Sequence, residues 1–431
     1  MRVKNDRLMR VKNELRAAAG VVVAAVLIAG CGSGAVAPPV MAHGVAIREP
    51  LADPRPYGAA DTAFGLDVLN AWCQADPRAN LVLSPSSLAS GLGMAYLGAR
   101  GGTAQAMARL LDLPATGGQA LEAGLQARSA ALRDLDGPGV TLAASDQVWA
   151  DPTLKTRRSY LNAVATGYDA GVAQAPLLSN PDHAAQEINQ AIAAATRGQI
   201  PRLLSPGSLN DIGWVLTDAL YLKAAWVTPF QASQTLPGPF TTAAGQQATV
   251  SFMNGGSYRA VSAAGGTAVQ LPYRGGKLAM VALLPPSAAA GCATPAASAL
   301  GALTARLAAG GTTGQVQTRS VSLPRVNLGG QVSMKGLLTE LGMGVAFTTS
   351  ADFTGLSPQA CCIGLVKQAV TLQVGEQGTV ASAATAVGMQ PTAERVQPPQ
   401  VVFDRSYLML VTATATGEPL FLARVANPAA H

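Results

Sequence analysis

Histidine is scarce in this 431-residue chain: there are three, His43, His183 and the terminal His431. There is no Gly-x-Ser-x-Gly turn, no Ser-x-x-Lys pair and no His-Glu-x-x-His helix, the patterns by which hydrolases activate a serine or a metal-bound water. A histidine-dependent hydrolase is therefore a poor reading. The five cysteines show no Cys-x-x-Cys or Cys/His spacing, so neither a metal nor a cofactor is assigned. Charged residues make up 13% and aromatics 5%, which leaves the surface to small and neutral polar side chains. No dense Lys/Arg cluster suggests a nucleic-acid or polyanion partner.

What is present is apolar. A 49% hydrophobic content can bury a large core and excludes disorder as the dominant state. Of the formal charge of +6, a net +4 lies in the first thirty residues, where Arg2, Lys4, Arg7, Arg10, Lys12 and Arg16 face only Asp6 and Glu14. This cationic stretch and the apolar run Ala17 to Gly30, short for a membrane span, read as an export signal over residues 1–30. Met9 repeats the opening MRVKN and is an alternative start.

The run ends Leu27-Ile28-Ala29-Gly30-Cys31, which resembles the lipobox at which bacterial lipoprotein signals are cut and Cys31 is acylated. An ordinary signal peptide or an uncleaved anchor are the competing readings. On the lipoprotein reading the protein sits on a membrane at the cell surface or in the periplasm; otherwise it is extracellular. Residues 31–57, rich in Pro and Gly, would be the tether, and 58–431 a single domain. Export permits disulfides, but Cys73, Cys292, Cys361 and Cys362 allow three pairings, and adjacent Cys361 and Cys362 are poorly placed to bond each other.

Helical patterns come early, at 61–72, from Leu88 to a stop at Gly101-Gly102, and at 103–111, 118–134 and 181–197, with a short one near 332–341. Strand patterns dominate later, at Val140 to Trp149, Trp214 to Trp226, Ala268 to Pro272, Lys277 to Leu284, Val316 to Val326, Leu365 to Val374, Tyr407 to Ala413 and Leu420 to Val425. Without a βαβ rhythm, this order predicts an α+β domain with antiparallel or mixed sheets.

Residues 80–114, NLVLSPSSLASGLGMAYLGARGGTAQAMARLLDLP, are similar to the first signature of the serpin family. The resemblance continues in VLTDALYLKAAWVTPF (215–230), LPYRGGKLAMVALLPP (271–286), VSLPRVNL (321–328) and LTELGMGVAFTTSADFTGLS (338–357), and closes in FDRSYLMLVTATATGEPLFLARVANP (403–428). It implies three β-sheets, eight or nine helices and an exposed reactive-centre loop at about 376–399. Within that loop, VGEQGTVASAATAVGMQPTAERVQPP (374–399) carries a run of small β-compatible residues, which suits a segment that must later slide between two strands.

The resemblance further implies a suicide-substrate inhibitor of serine or cysteine proteases, monomeric and without catalytic residues of its own. Glu376, Gly378, Thr379, Val380, Ala381, Ser382, Ala383 and Ala384 would form the hinge; Ser84, Ser87, Asp218, Trp226 and Gln368 would line the part of the sheet that opens. Asp218 and Gln368 stand where the family often has Asn and His, and Val380 where inhibitory members often have Glu. Counting from Glu376 places the scissile bond at Thr392–Ala393, for an elastase- or subtilisin-like protease. Counting back from Phe403 places it at Arg395–Val396, for a trypsin-like one. The competing class is a non-inhibitory surface protein of the same fold, which binds a partner or is merely cleaved.

Overall fold

The computed structural model describes residues 38–48, 50, 52–263, 265–286, 291–292, 294–309, 316–379 and 399–430. The export segment 1–30, Cys31, and the loop residues Val380, Ala381, Ser382, Ala383, Ala384, Thr392, Ala393, Arg395 and Val396 lie outside them.

Strand β1 (Val40–Ala42) precedes helix α1 (Arg55–Ala75) and pairs antiparallel with a later strand at Val172–Gln174. Folded structure thus begins inside the stretch read as a tether, because a three-residue edge strand leaves no periodic signature. Asp61, the first residue of the helical pattern at 61–72, lies within α1 and binds Arg128. Strand β2 (Leu81–Leu83) runs into α2 (Pro85–Gly98), whose cap is Ser84: its Oγ accepts from the Ser87 amide at 3.3 Å, and Pro85 occupies the first turn. Helices α3 (Gly101–Leu110) and α4 (Gly118–Arg133) follow.

The chain then lays down β3 (Val140–Ala144), β4 (Gln147–Ala150), α5 (Arg158–Tyr168), β5 (Val172–Gln174), α6 (Pro181–Ala195) and β6 (Trp214–Ala225). Next come β7 (Thr235–Thr241), β8 (Gln247–Ala263), β9 (Gly266–Pro272), β10 (Leu278–Leu284), α7 (Ala297–Ala309), β11 (Val316–Pro324), β12 (Val326–Ser333) and α8 (Lys335–Leu338). The last strands are β13 (Leu365–Gly375), β14 (Gly378–Thr379), β15 (Gln400–Val402), β16 (Tyr407–Ala413) and β17 (Pro419–Val425).

The first sheet has the order β1-β5-β4-β6-β14-β13-β12, with β3 also on β6. The second has the order β15-β11-β8-β9-β10-β16-β17-β2, with β7 on β8. The expected third sheet is joined to the second through β8, which turns at Gly255 and Gly256 (φ +118° and +75°) and stays hydrogen-bonded on both sides of the bend.

Strand β6 is apolar almost throughout because both of its faces are covered. Val215 and Ala219 pack with Ala184, Ala185, Ile188 and Ile192 of α6. The alternate residues Leu216, Leu220 and Leu222 face the main core. The same period puts Asp218 on the core face beneath α2, and on β13 it puts Gln368 beside Val366 and Val370. Cys73 of α1 is bonded to Cys292, which settles the pairing. A cross-link spanning 219 residues stabilises by about 5 kcal/mol in the chain-entropy account. Cys361 and Cys362 are free thiols.

Candidate functional site

The site is the seam between β6 and β13, which has two levels. In the lower one, Leu365 to Thr371 pair in parallel with Val215 to Tyr221, so the two strands are directly bonded. In the upper one, β14 lies between them: Gly378 and Thr379 pair with Ala225 and Ala224 of β6 on one side and with Gly375 and Val374 of β13 on the other. Two residues of the expected hinge are therefore already strands of the sheet, not part of an exposed loop.

Local chemistry explains why the insertion reaches this far. Glu376 and Gln377 make a two-residue hairpin turn, and Gly378 has φ +147°, a conformation that glycine alone adopts without strain. A Cβ there would lie 2.0 Å from the Ala224 carbonyl oxygen. Thr379 is fully buried, and its hydroxyl lies 2.5 Å from that of Tyr273. Tyr273 stacks on Trp226 with ring centroids 4.4 Å apart, and Trp226 Nε1 donates to the Gly375 carbonyl at 2.9 Å. The amides of Trp226 and Phe230 donate to the carbonyls of Gln377 and Glu376, each at 2.9 Å.

The Glu376 side chain is largely covered, at 13% exposed. Arg325 Nε donates to its Oε1 at 2.7 Å and Thr235 Oγ1 at 2.6 Å. Partial burial alone would raise the carboxyl's pKa, but Arg325 and Thr235 outweigh it and hold Glu376 below its ordinary value.

The lower level is crossed by a polar network. Gln368 Oε1 accepts from the Ser84 amide, and its Nε2 donates to the Ser84 carbonyl, both at 3.0 Å. Nε2 also donates to Asp218 Oδ2 at 2.5 Å. Ser87 Oγ lies 2.5 Å from Asp218 Oδ1 and is hydrogen-bonded as well to Asp146. Four of the five expected opening residues, Ser84, Ser87, Asp218 and Gln368, thus form one cluster joining α2, β6 and β13. Trp226 belongs to the upper level.

Sequence reasoning missed Asp146, Tyr273, Arg325 and Thr235. It also missed Arg128, whose buried guanidinium binds Asp61 at 2.5 Å and Glu418 at 2.8 Å and so ties α4 to α1 and the β16–β17 turn. Tyr273 and Arg325 stand inside the stretches 271–286 and 321–328 without a pattern of their own, Asp146, Thr235 and Arg128 stand outside all such stretches, and only their partners across the fold reveal them.

The profile of the family described as "Serpin (serine protease inhibitor)" matches residues 59–428. Leukocyte elastase inhibitor of Bos taurus is 28% identical over 386 residues, covering 86% of this chain and 99% of its own. Ipis-1 of Ixodes persulcatus is 29% identical over 81% of this chain and 93% of its own. The native-state structure of tengpin, a thermophilic serpin, superposes with a TM-score of 0.75 at 21% identity, over 91% of this chain and 100% of that one.

Proposed function

The chain belongs to the serpin family, and from that premise we propose that it is a suicide-substrate inhibitor of serine endopeptidases. The observation that supports this most is the seam itself, parted for two residues at the top and closed below. A loop severed further along can continue the strand that Gly378 and Thr379 begin, and each added residue gains ladder hydrogen bonds and buried area.

In this reading the target's serine attacks the loop carbonyl, forms an ester and releases the downstream segment as an amine. The freed upstream segment inserts between β6 and β13 and carries the bound protease with it before water can cleave the ester. The inhibitor supplies bait and a metastable sheet, with no catalytic group of its own. A Thr392–Ala393 bond calls for an elastase- or subtilisin-like target, and Arg395–Val396 for a trypsin-like one. Export and anchoring through Cys31 are part of the same proposal; the Cys73–Cys292 disulfide suits an oxidising compartment.

Incubation with an elastase-, a subtilisin- and a trypsin-like protease tests it. The expected result is a covalent species that survives denaturing electrophoresis with at least one of them, and mass spectrometry of the released peptide identifies the bond. Cleavage by all three without such a species would assign the chain to the non-inhibitory class instead.

A further inference from the structure

Around Ser87 there are more hydrogen bonds than the ionised side chains have hydrogens for. Its Oγ contacts Oδ1 of both Asp146 and Asp218. A hydroxyl has one hydrogen and an ionised carboxylate none, so two contacts among three oxygens need one proton more than serine provides. On Asp218, Oδ2 is already an acceptor for Gln368, which leaves Oδ1 to carry that proton.

We infer that Asp218 is an un-ionised carboxylic acid in the closed seam, donating to Ser87, which donates in turn to an ionised Asp146, and that losing this proton at alkaline pH loosens the β6–β13 seam. A protonated aspartic acid offers one donor and one acceptor, the pattern an asparagine side chain would give in the same place. Ionised, Asp218 would set a second negative charge against Asp146 and keep no donor for Ser87.

The surroundings fit this assignment. Asp218 is 3% exposed, whereas Asp146 is half-buried in the wall of a cavity of about 400 Å³ between α2, α4, α5 and β3. From α4, Arg128 faces Asp146 and favours its charge, although Arg128 is itself engaged by Asp61 of α1 and Glu418. Tyr168 at the end of α5, Asp169, Arg133 and Asp136 line the same cavity. Burial pushes Asp146 up to about 7, eased by Ser87 and Arg128. It pushes Asp218 well above its ordinary value, and the neighbouring Asp146 adds to this.

Both acids have folded-state values above their unfolded ones, so the native protein binds the extra protons. Their contribution is complete below the unfolded carboxyl range and declines as pH rises, through Asp146 first and Asp218 last. The proton is independent of the inhibitor reading; its bearing on loop insertion rests on that reading.

The test is Asp218→Asn, compared with the parent by urea unfolding between pH 5 and pH 10. The parent's unfolding constant should rise about tenfold per pH unit for each proton involved. The variant should rise with one proton fewer and be the more stable protein at pH 10. Amides of β6 should exchange faster in the parent than in Asp218→Asn, by a factor that widens from pH 6 to pH 10. Equal slopes, or a ratio of exchange rates that does not change with pH, would overturn the inference.

Infrared spectra of the parent at pH 8 provide a second readout, should Asp218→Asn not fold. A carboxylic-acid carbonyl band is expected that shifts in Ser87→Ala, which removes the acceptor of that hydrogen together with the donor to Asp146. A missing or unmoved band also overturns the inference. No protease enters these measurements, so a failure to trap protease leaves them unaffected.

Discussion

Near Trp226 the seam is already parted, and an aromatic stack, a fully buried threonine and a glycine that tolerates no Cβ hold two residues of the hinge in place. Lower down, at Asp218 and Gln368, the same two strands touch directly, and hydrogen bonds that converge on Ser84 and Ser87 hold them. The upper level is held by shape and the lower by polar pairing. On the proposed mechanism the difference bears on insertion: a strand advancing from the top would have to replace a satisfied polar cluster before going further, and that cost would give the metastable state its lifetime.

Three substitutions probe the two levels separately, and the largest effect belongs to the top. Thr379→Arg would place a guanidinium where the wild-type side chain is fully buried beside Tyr273, at a cost of several kcal/mol. The expected outcome is ejection of β14 from the sheet and a protein that is cleaved without trapping, read as at least a tenfold fall in the yield of covalent complex. Retained trapping at the parental yield would show that the upper seat is dispensable.

In the lower level, Gln368→Leu removes the amide that satisfies the Ser84 backbone and Asp218, leaving buried groups unpaired. A loss of about 3 kcal/mol in unfolding free energy is expected from urea denaturation, together with faster insertion of the hinge. The smallest effect is that of Arg325→Gln, because the Arg325 side chain is 50% exposed and its pair with Glu376 is screened by solvent. Less than about 1 kcal/mol is expected, vanishing at high salt. Since Glu376 is held below its ordinary pKa, that contribution is present at neutral pH and fades as pH falls through the folded-state value.

Much of the seam could be read from the chain alone. Strands β6 and β13 announce themselves as long runs rich in apolar and β-branched residues, broken by Thr217-Asp218 and Lys367-Gln368, and Ser84-Pro85 marks the start of α2. Other parts left no local trace. No strand is read over residues 247–263, yet β8 passes through Asn254-Gly255-Gly256 as one bent strand. Helix α7 does repeat Leu300, Leu303 and Leu307 at i, i+3 and i+7, but among so many small apolar residues that spacing is not read as a helix. The importance of Asp146 depends on Ser87 and Asp218, which are remote in sequence, and the Cys73–Cys292 pairing could not be chosen from spacing. How far the hinge enters the sheet depends on Tyr273 and Ala224 meeting it there, and sequence periodicity does not encode that encounter.

On the proposed mechanism the intact sheet has not reached its lowest free energy. Thermal unfolding of the intact protein beside protein nicked once within residues 380–398 tests this directly. If the severed segment completes the strand begun by Gly378 and Thr379, the nicked form melts well above the intact one. If the two melt together, or the nicked form melts lower, no conformational energy is stored and the inhibitor mechanism is contradicted.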